Sequence, residues 1–297
     1  MTDSGSAVGD RLDARAVILL TVLFLIWGLN AVAIKFSNEG IAPLFCAGLR
    51  SVIASVCLMI WMSWKRLEFF PGRLFDGFVV GFLFGAEFGL LYLALLYTTA
   101  SSAWILLFTT PFFHALGAHF FLSGDRLSWN KAVGLVLSFA GILILLSKHL
   151  GLPSMQQLTG DLLAIGAAVL WALTTVYIKR RLVAAVSPYH TLFYQILFSI
   201  PILFLLSFVF QETPVSHVDW LILLSVAYQG IVVASFSYLG WFFLVHTYAV
   251  SRLSSFSFLT PVFATLAGVG LLKEPLTLRL SVSLILVSIG IYVVNRK

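Results

Sequence analysis

Charge is scarce in this chain. Only 10% of its 297 residues are Asp, Glu, Lys or Arg, and 60% are hydrophobic; an ordinary soluble domain is about 25% charged. So few charges cannot cover a surface that faces water, so the solvent implied is lipid. The formal net charge of +6 therefore gives no reason to invoke nucleic acid, because charge must first be sorted by membrane side. Cysteine is nearly absent. Cys46 and Cys57 lie in one apolar segment, and on a helix their separation is roughly 16 Å of rise, beyond disulfide reach. Also missing are the phosphate-binding G-x-x-x-x-G-K-[ST] loop, HExxH, GxSxG and CxxC. ATP-driven pumping by this chain alone is not expected, nor are a cofactor, a metal site or an enzyme activity.

Long apolar runs are abundant. A bilayer core needs about 20 apolar residues per helix, and ten such segments can be cut: 16–36, 43–64, 74–96, 101–123, 128–147, 160–180, 188–210, 219–247, 251–272 and 277–295. Breaks fall at clusters such as Ser37-Asn38-Glu39-Gly40, Pro71-Gly72-Arg73 and Glu212-Thr213-Pro214. The first fifteen residues are polar, and the run after them lacks a small-residue cleavage site, so it reads as a retained span. Alternating the segments puts thirteen Lys and Arg on the N-terminal side and four on the far side, with Arg50 inside a helix. Basic loops stay in the cytoplasm, so both termini are expected there.

The segment Thr98–Leu127 recurs as Tyr248–Leu276. Each copy carries a Thr-Pro pair, Thr110-Pro111 and Thr260-Pro261, and closes on an acid two residues before a leucine, Asp125 and Glu274. The repeat extends through both halves. Trp27 and Lys35 match Trp171 and Lys179, both 144 residues on, and Arg50 matches Gln195 at a separation of 145. Gly141-Ile142 matches Gly290-Ile291. Each half holds five spans, and an odd number turns the second copy upside down. The fold expected is an all-α integral membrane protein, ten transmembrane helices as two inverted five-helix repeats. Its parts are a cytoplasmic tail over 1–15, a first repeat over 16–150 and a second over 151–297. Many secondary transporters build a midplane site from such inverted halves.

The residues WGLNAVAIK at Trp27–Lys35, GLR at Gly48–Arg50 and the paired P…(D/E)xL segments resemble the drug/metabolite transporter superfamily, EamA type, over essentially the whole chain. Within it the chain is most similar to aromatic amino acid exporters of the YddG kind. The resemblance implies cytoplasmic termini, multi-pass residence in a bacterial inner membrane, and export of small metabolites. The chain departs from the family pattern in carrying Asp125 where glutamate is usual, and Gly124 where the second copy has Lys273.

Charges inside a membrane are costly and are read first as functional. Arg50 and Glu87 lie at similar depths and could pair structurally. Alternatively Glu87 is a proton site, or Arg50 a partner for a substrate carboxylate. Glu87 lies off the stripe Gly77, Gly81, Gly85 and Gly89, which weakens a cavity-facing placement for it. That stripe reads as close helix packing or as a sliding surface. Hydroxyls in hydrocarbon need partners or water, and mixed aromatic and hydroxyl faces occur on six spans. Trp27 and Asn30 share a face of the first, Tyr92 continues the glycine face of the third, and Trp104 and Phe108 share a face of the fourth. In the inverted half, Trp171 and Thr175, then Ser235 and Tyr238, then Ser254 and Phe258 do the same. Pro111 and Pro261 are the expected bend points, because proline removes a backbone hydrogen bond.

The reading is a secondary or facilitative carrier that exports small metabolites, amino-acid-like and aromatic, by alternating access between helices 1, 3, 4 and 6, 8, 9. A large ring with a charged head suits an aromatic, hydroxyl-bearing wall. A nucleotide sugar or a drug-like solute is an alternative, though a phosphate should want more intramembrane basic residues than Arg50. An intramembrane enzyme would need a nucleophile with its base, or a metal triad, and neither is visible. The partners expected are the substrate and the lipid bilayer, and the oligomeric state stays open and is compatible with a monomer.

Overall fold

The computed structural model describes residues 12–98, 100–147, 155–272 and 278–296. The tail before residue 12, the loop carrying Ser154, and the segment with Lys273 and Glu274 lie outside the described residues. All regular elements among the described residues are helical, and they trace ten spans. Spans one to three are α1 (Ala14–Ser37), α2 (Pro43–Trp64) and α3 (Leu74–Tyr97). The fourth is broken into α4 (Ala100–Leu107) and α5 (Thr110–Phe121), and the fifth is α6 (Trp129–Leu146). Spans six and seven are α7 (Met155–Arg181) and α8 (Pro188–Val209). The eighth runs α9 (Trp220–Ala227), a π-helical stretch (Tyr228–Ser237) and α10 (Tyr238–Thr247). The ninth is α11 (Val250–Ser255), one 3-10 turn and α12 (Leu259–Leu272), and the tenth is α13 (Leu278–Asn295).

Local chemistry explains the ends and the breaks. Asp13 caps α1 by accepting from the Ala16 amide at 2.7 Å, and Asp219 caps α9 through Ile222 at 2.8 Å. α2 begins at Pro43 and has no cap of its own. Its free Leu44 and Phe45 amides are taken, at 3.0 Å each, by the two carboxylate oxygens of Glu212 from the loop after α8. In the fourth span Pro111 cannot donate to the Leu107 carbonyl. The Thr110 hydroxyl takes that carbonyl instead at 2.5 Å, and Thr109 takes that of Leu106. The helix therefore breaks at Phe108–Thr109, just before the proline. The 3-10 turn Phe256–Phe258 occupies the matching place before Pro261.

The packing carries the repeat. α2 lies against α8 and α6 against α13, each a span against its own counterpart. The α1–α12 contact is mirrored by α5 against α7, and α3 against α7 by α1 against the eighth span. Across the α6–α13 crossing, Ser138 donates to the Val287 carbonyl at 3.4 Å. These two residues are 149 apart, the same separation that relates Gly141 to Gly290, so a two-fold axis passes close to them. The five-helix halves are thus inverted copies. The glycine stripe of α3 is packing surface. A Cβ on Gly77, Gly81, Gly85 or Gly89 would lie 2.5–2.9 Å from Tyr194, Phe198, Ile202 or Leu206 of α8. The outward faces remain apolar, with Ile18, Phe75, Phe120, Phe208 and Ile285 exposed, as a lipid-facing surface requires.

Candidate functional site

A cavity of about 520 Å³ lies between the two halves. α1 supplies Trp27 and Asn30, α2 supplies Arg50, and α3 supplies Phe84, Glu87, Phe88 and Leu91. The fourth span adds Trp104 and Phe108. The inverted half adds Trp171 and Thr175 from α7, Gln195 from α8, Tyr238 and Trp241 from α10, and Pro261 from α12. The wall is aromatic and anchored. The Trp27 indole donates to the Ser237 hydroxyl at 2.8 Å, and its ring meets Tyr238 edge-on at 5.5 Å and Trp241 at 5.8 Å. Trp104 and Phe108 lie 6.4 Å apart.

Four residues expected in the cavity wall lie elsewhere. Tyr92 follows the glycine face of α3 away from the cavity and meets Phe210 at 5.3 Å with the rings tilted by 44°. Ser235 sits in the π-helical stretch and donates five residues back, to the Gly230 carbonyl at 2.8 Å. The wider turn changes the helix phase, so Ser235 and Tyr238 no longer share a face. Ser254, in α11, donates to the Ser251 carbonyl at 3.2 Å, and Phe258, in the 3-10 turn, is fully buried beside Phe112. Pro111, expected as a bend point and not as wall, is buried at the start of α5, directly after the break at Phe108–Thr109.

The depth argument placed Arg50 and Glu87 together, but they form no ion pair. The Arg50 guanidinium lies 4.5 Å over the Phe88 ring instead. The expectation that Glu87 points away from the cavity is also corrected. With the glycines packed on α8, the neighbouring stripe of α3, Phe84-Glu87-Phe88-Leu91, faces the cavity. Its i, i+3, i+4, i+7 spacing was the available signal. Gln195 could have been found as the repeat partner of Arg50. The cavity's polar lining is unpartnered where it is most buried: Nε and Nη2 of Arg50, Oε2 of Glu87, Oδ1 of Asn30 and Oε1 of Gln195 have no hydrogen bond.

The two ends differ. The exposed lining residues, Ala31, Lys35 and Trp104, lie toward the far side, away from the N-terminus. On the N-terminal side Asp125 is buried and takes three hydrogen bonds. Lys131 Nζ donates at 2.6 Å, the Ser251 amide at 2.9 Å, and the Ser251 hydroxyl also donates. Lys179 Nζ donates there to the Val245 and Tyr248 carbonyls, at 2.5 and 3.1 Å. Its repeat partner Lys35 makes no such bond and lines the cavity. Of the histidines in the spans, His119 accepts from the Leu127 amide at 3.2 Å and His246 meets Thr191 at 3.1 Å. Among the described residues no His, Cys, Asp or Glu cluster is placed to hold a metal.

Inverted five-helix halves that enclose a cavity within a membrane-spanning fold fit a membrane transporter. The chain belongs to the EamA-like transporter family, whose model matches residues 14–147 and again 158–296. It is 32% identical to an uncharacterized transporter of Archaeoglobus fulgidus, over 95% of this chain and 98% of that one. It is 29% identical to the "Probable amino-acid metabolite efflux pump" of Salmonella typhimurium, over 95% and 94% of the two chains. A solved crystal structure shares the fold with a TM-score of 0.82 at 20% identity, covering 95% of this chain and 96% of that one.

Proposed function

We propose that this transporter exports small amphipathic metabolites, aromatic amino acids foremost, by alternating access. The observation that carries the reading is the cavity itself, with Trp27, Trp104, Trp171, Tyr238 and Trp241 around buried polar groups that lack partners. Aromatic walls bind rings, and unpartnered polar groups bind a charged head. The efflux relative from Salmonella typhimurium supports the direction and the substrate class. Both termini lie in the cytoplasm of a bacterial inner membrane, so the cavity opens outward in this conformation. The halves 16–150 and 151–297 are the bodies that rock, as a monomer, with hinges at the breaks beside Pro111 and Pro261.

Transport of phenylalanine against alanine in proteoliposomes tests the ring wall. Removing one stacking partner costs on the order of 1 kcal/mol of binding, so Trp104→Ala and Trp171→Ala should each weaken phenylalanine transport a few-fold. Alanine transport should change little. If both variants keep wild-type rates and wild-type preference, the wall is only packing.

The orientation is tested separately. Cysteine at Arg66 should label only from the cytoplasmic side and cysteine at Ser154 only from outside. Labelling of both from one side overturns the topology.

A further inference from the structure

A buried ion with no partner is strongly unfavourable in a membrane interior. This cavity holds two ionisable side chains of opposite charge type, with no ion pair between them. The Arg50 side chain is 4% exposed and Glu87 is 7% exposed, and both line the cavity. The two do not neutralise one another directly. The unpartnered nitrogens of Arg50, Nε and Nη2, are the adjacent pair whose N–H bonds run parallel along one side of the guanidinium. That fork matches the two oxygens of a carboxylate. Phe88 supports the guanidinium face at 4.5 Å and leaves the fork edge free. The remaining unpartnered atoms, Oε2 of Glu87 with Oδ1 of Asn30 and Oε1 of Gln195, are all acceptors. An ammonium offers three donors and a positive charge.

We propose that Arg50 and Glu87 form a clamp for a zwitterion, Arg50 holding the carboxylate and Glu87 the ammonium, so the cavity selects free α-amino acids over one-ended analogues. This rests on the carrier reading above and sharpens it, because the head group rather than the ring becomes the obligatory feature. A solute with one charge would leave the other buried ion uncompensated. Amines, carboxylic acids, esters and N-acylated amino acids should all be excluded.

The test is competition against labelled substrate in proteoliposomes, with two matched sets. The ring set is phenylalanine, phenethylamine and phenylpropionate. The ringless set is leucine, isoamylamine and isocaproate. Wild type should prefer each zwitterion over both of its analogues by about tenfold or more, the scale of one charged hydrogen bond. Arg50→Gln removes both the charge and the fork, so it should lose discrimination against the amines alone. Glu87→Gln should lose discrimination against the acids alone. This split is a readout that a purely structural ion would not give, and either variant that folds supplies its half. Wild-type protein that accepts phenethylamine or phenylpropionate as well as phenylalanine overturns the clamp and leaves the ring reading standing. Wild-type protein that transports leucine with full head-group discrimination but ignores phenylalanine supports the clamp and overturns the ring reading. Unchanged discrimination in both folded variants also overturns the clamp.

Discussion

Gly290→Val is expected to be among the most damaging single changes outside the cavity. α6 and α13 cross with no room between their backbones. A Cβ on Gly290 would lie 2.5 Å from the Gly134 carbonyl oxygen and 2.7 Å from the Ser138 amide nitrogen, and would also collide with the Ser138 hydroxyl. These are mostly main-chain atoms, so no rotamer change relieves the clash and the helices must separate. Overpacking of this kind costs on the order of 3 kcal/mol. Gly290→Ala should destabilise in the same sense but less. Gly270 gives the control, because a Cβ there meets nothing within 4 Å. Gly270→Ala should be neutral or stabilising, since alanine is the better helix former by about 1 kcal/mol. Thermal melts in detergent measure all three. Melting of Gly290→Val at the wild-type temperature would show that this crossing is not the fixed pillar described here.

That pillar was legible in the sequence only as a repeat. Gly141-Ile142 and Gly290-Ile291 matched at a fixed separation, and the inversion of the halves followed from the odd number of spans. The spans were legible because hydrophobic length is a strong signal; α2 follows the cluster Ser37-Asn38-Glu39-Gly40 and α3 follows Pro71-Gly72-Arg73, both of which the segmentation used. The breaks were half legible. Pro111 and Pro261 announced themselves, but the π-helical stretch Tyr228–Ser237 carries no proline and no visible cue. Its altered phase moved Ser235 off the cavity wall, and the 3-10 turn did the same for Phe258. Regular 3.6-residue phasing cannot anticipate such a shift. Trp27, Asn30, Trp104, Phe108, Trp171, Thr175 and Tyr238 reach the cavity. The face of α3 was misjudged for another reason. Small residues mark where a helix touches its neighbour most closely, so the cavity face lies to one side of that stripe. Tyr92 belonged to the packed face and Glu87 to the open one.

Replacing Asp125 is expected to unlatch the N-terminal side of the cavity. Asp125 closes the first half's repeat segment and is 4% exposed. It joins three elements by accepting from Lys131 of α6 at 2.6 Å and from the Ser251 amide at the start of α11 at 2.9 Å. A carboxylate on helix-terminal amides is well placed, because those amides have no partner inside the helix. Lys131 is itself 7% exposed, and without Asp125 its ammonium would keep only the Arg126 carbonyl, at 2.8 Å. Breaking one side of a buried pair costs about 3–5 kcal/mol. That penalty falls only on the conformation in which the latch is made. Asp125→Ala should therefore shift the population toward a state open on the N-terminal side, where Lys131 can reach water. Ser254 lies directly beneath the latch and is 1% exposed, so it can report the opening. In a background without Cys46 and Cys57, cysteine at Ser254 should react slowly with a membrane-impermeant maleimide applied from the N-terminal side. Adding Asp125→Ala should raise that rate by an order of magnitude or more, the least that a shift of a few kcal/mol allows. Asp125→Asn, which keeps an acceptor for Ser251 but loses the charge that holds Lys131, should fall between. Equal labelling rates in all three, with equal melting temperatures, would mean that Asp125 carries no latch and that the gate is held by the Lys179 contacts with Val245 and Tyr248 alone.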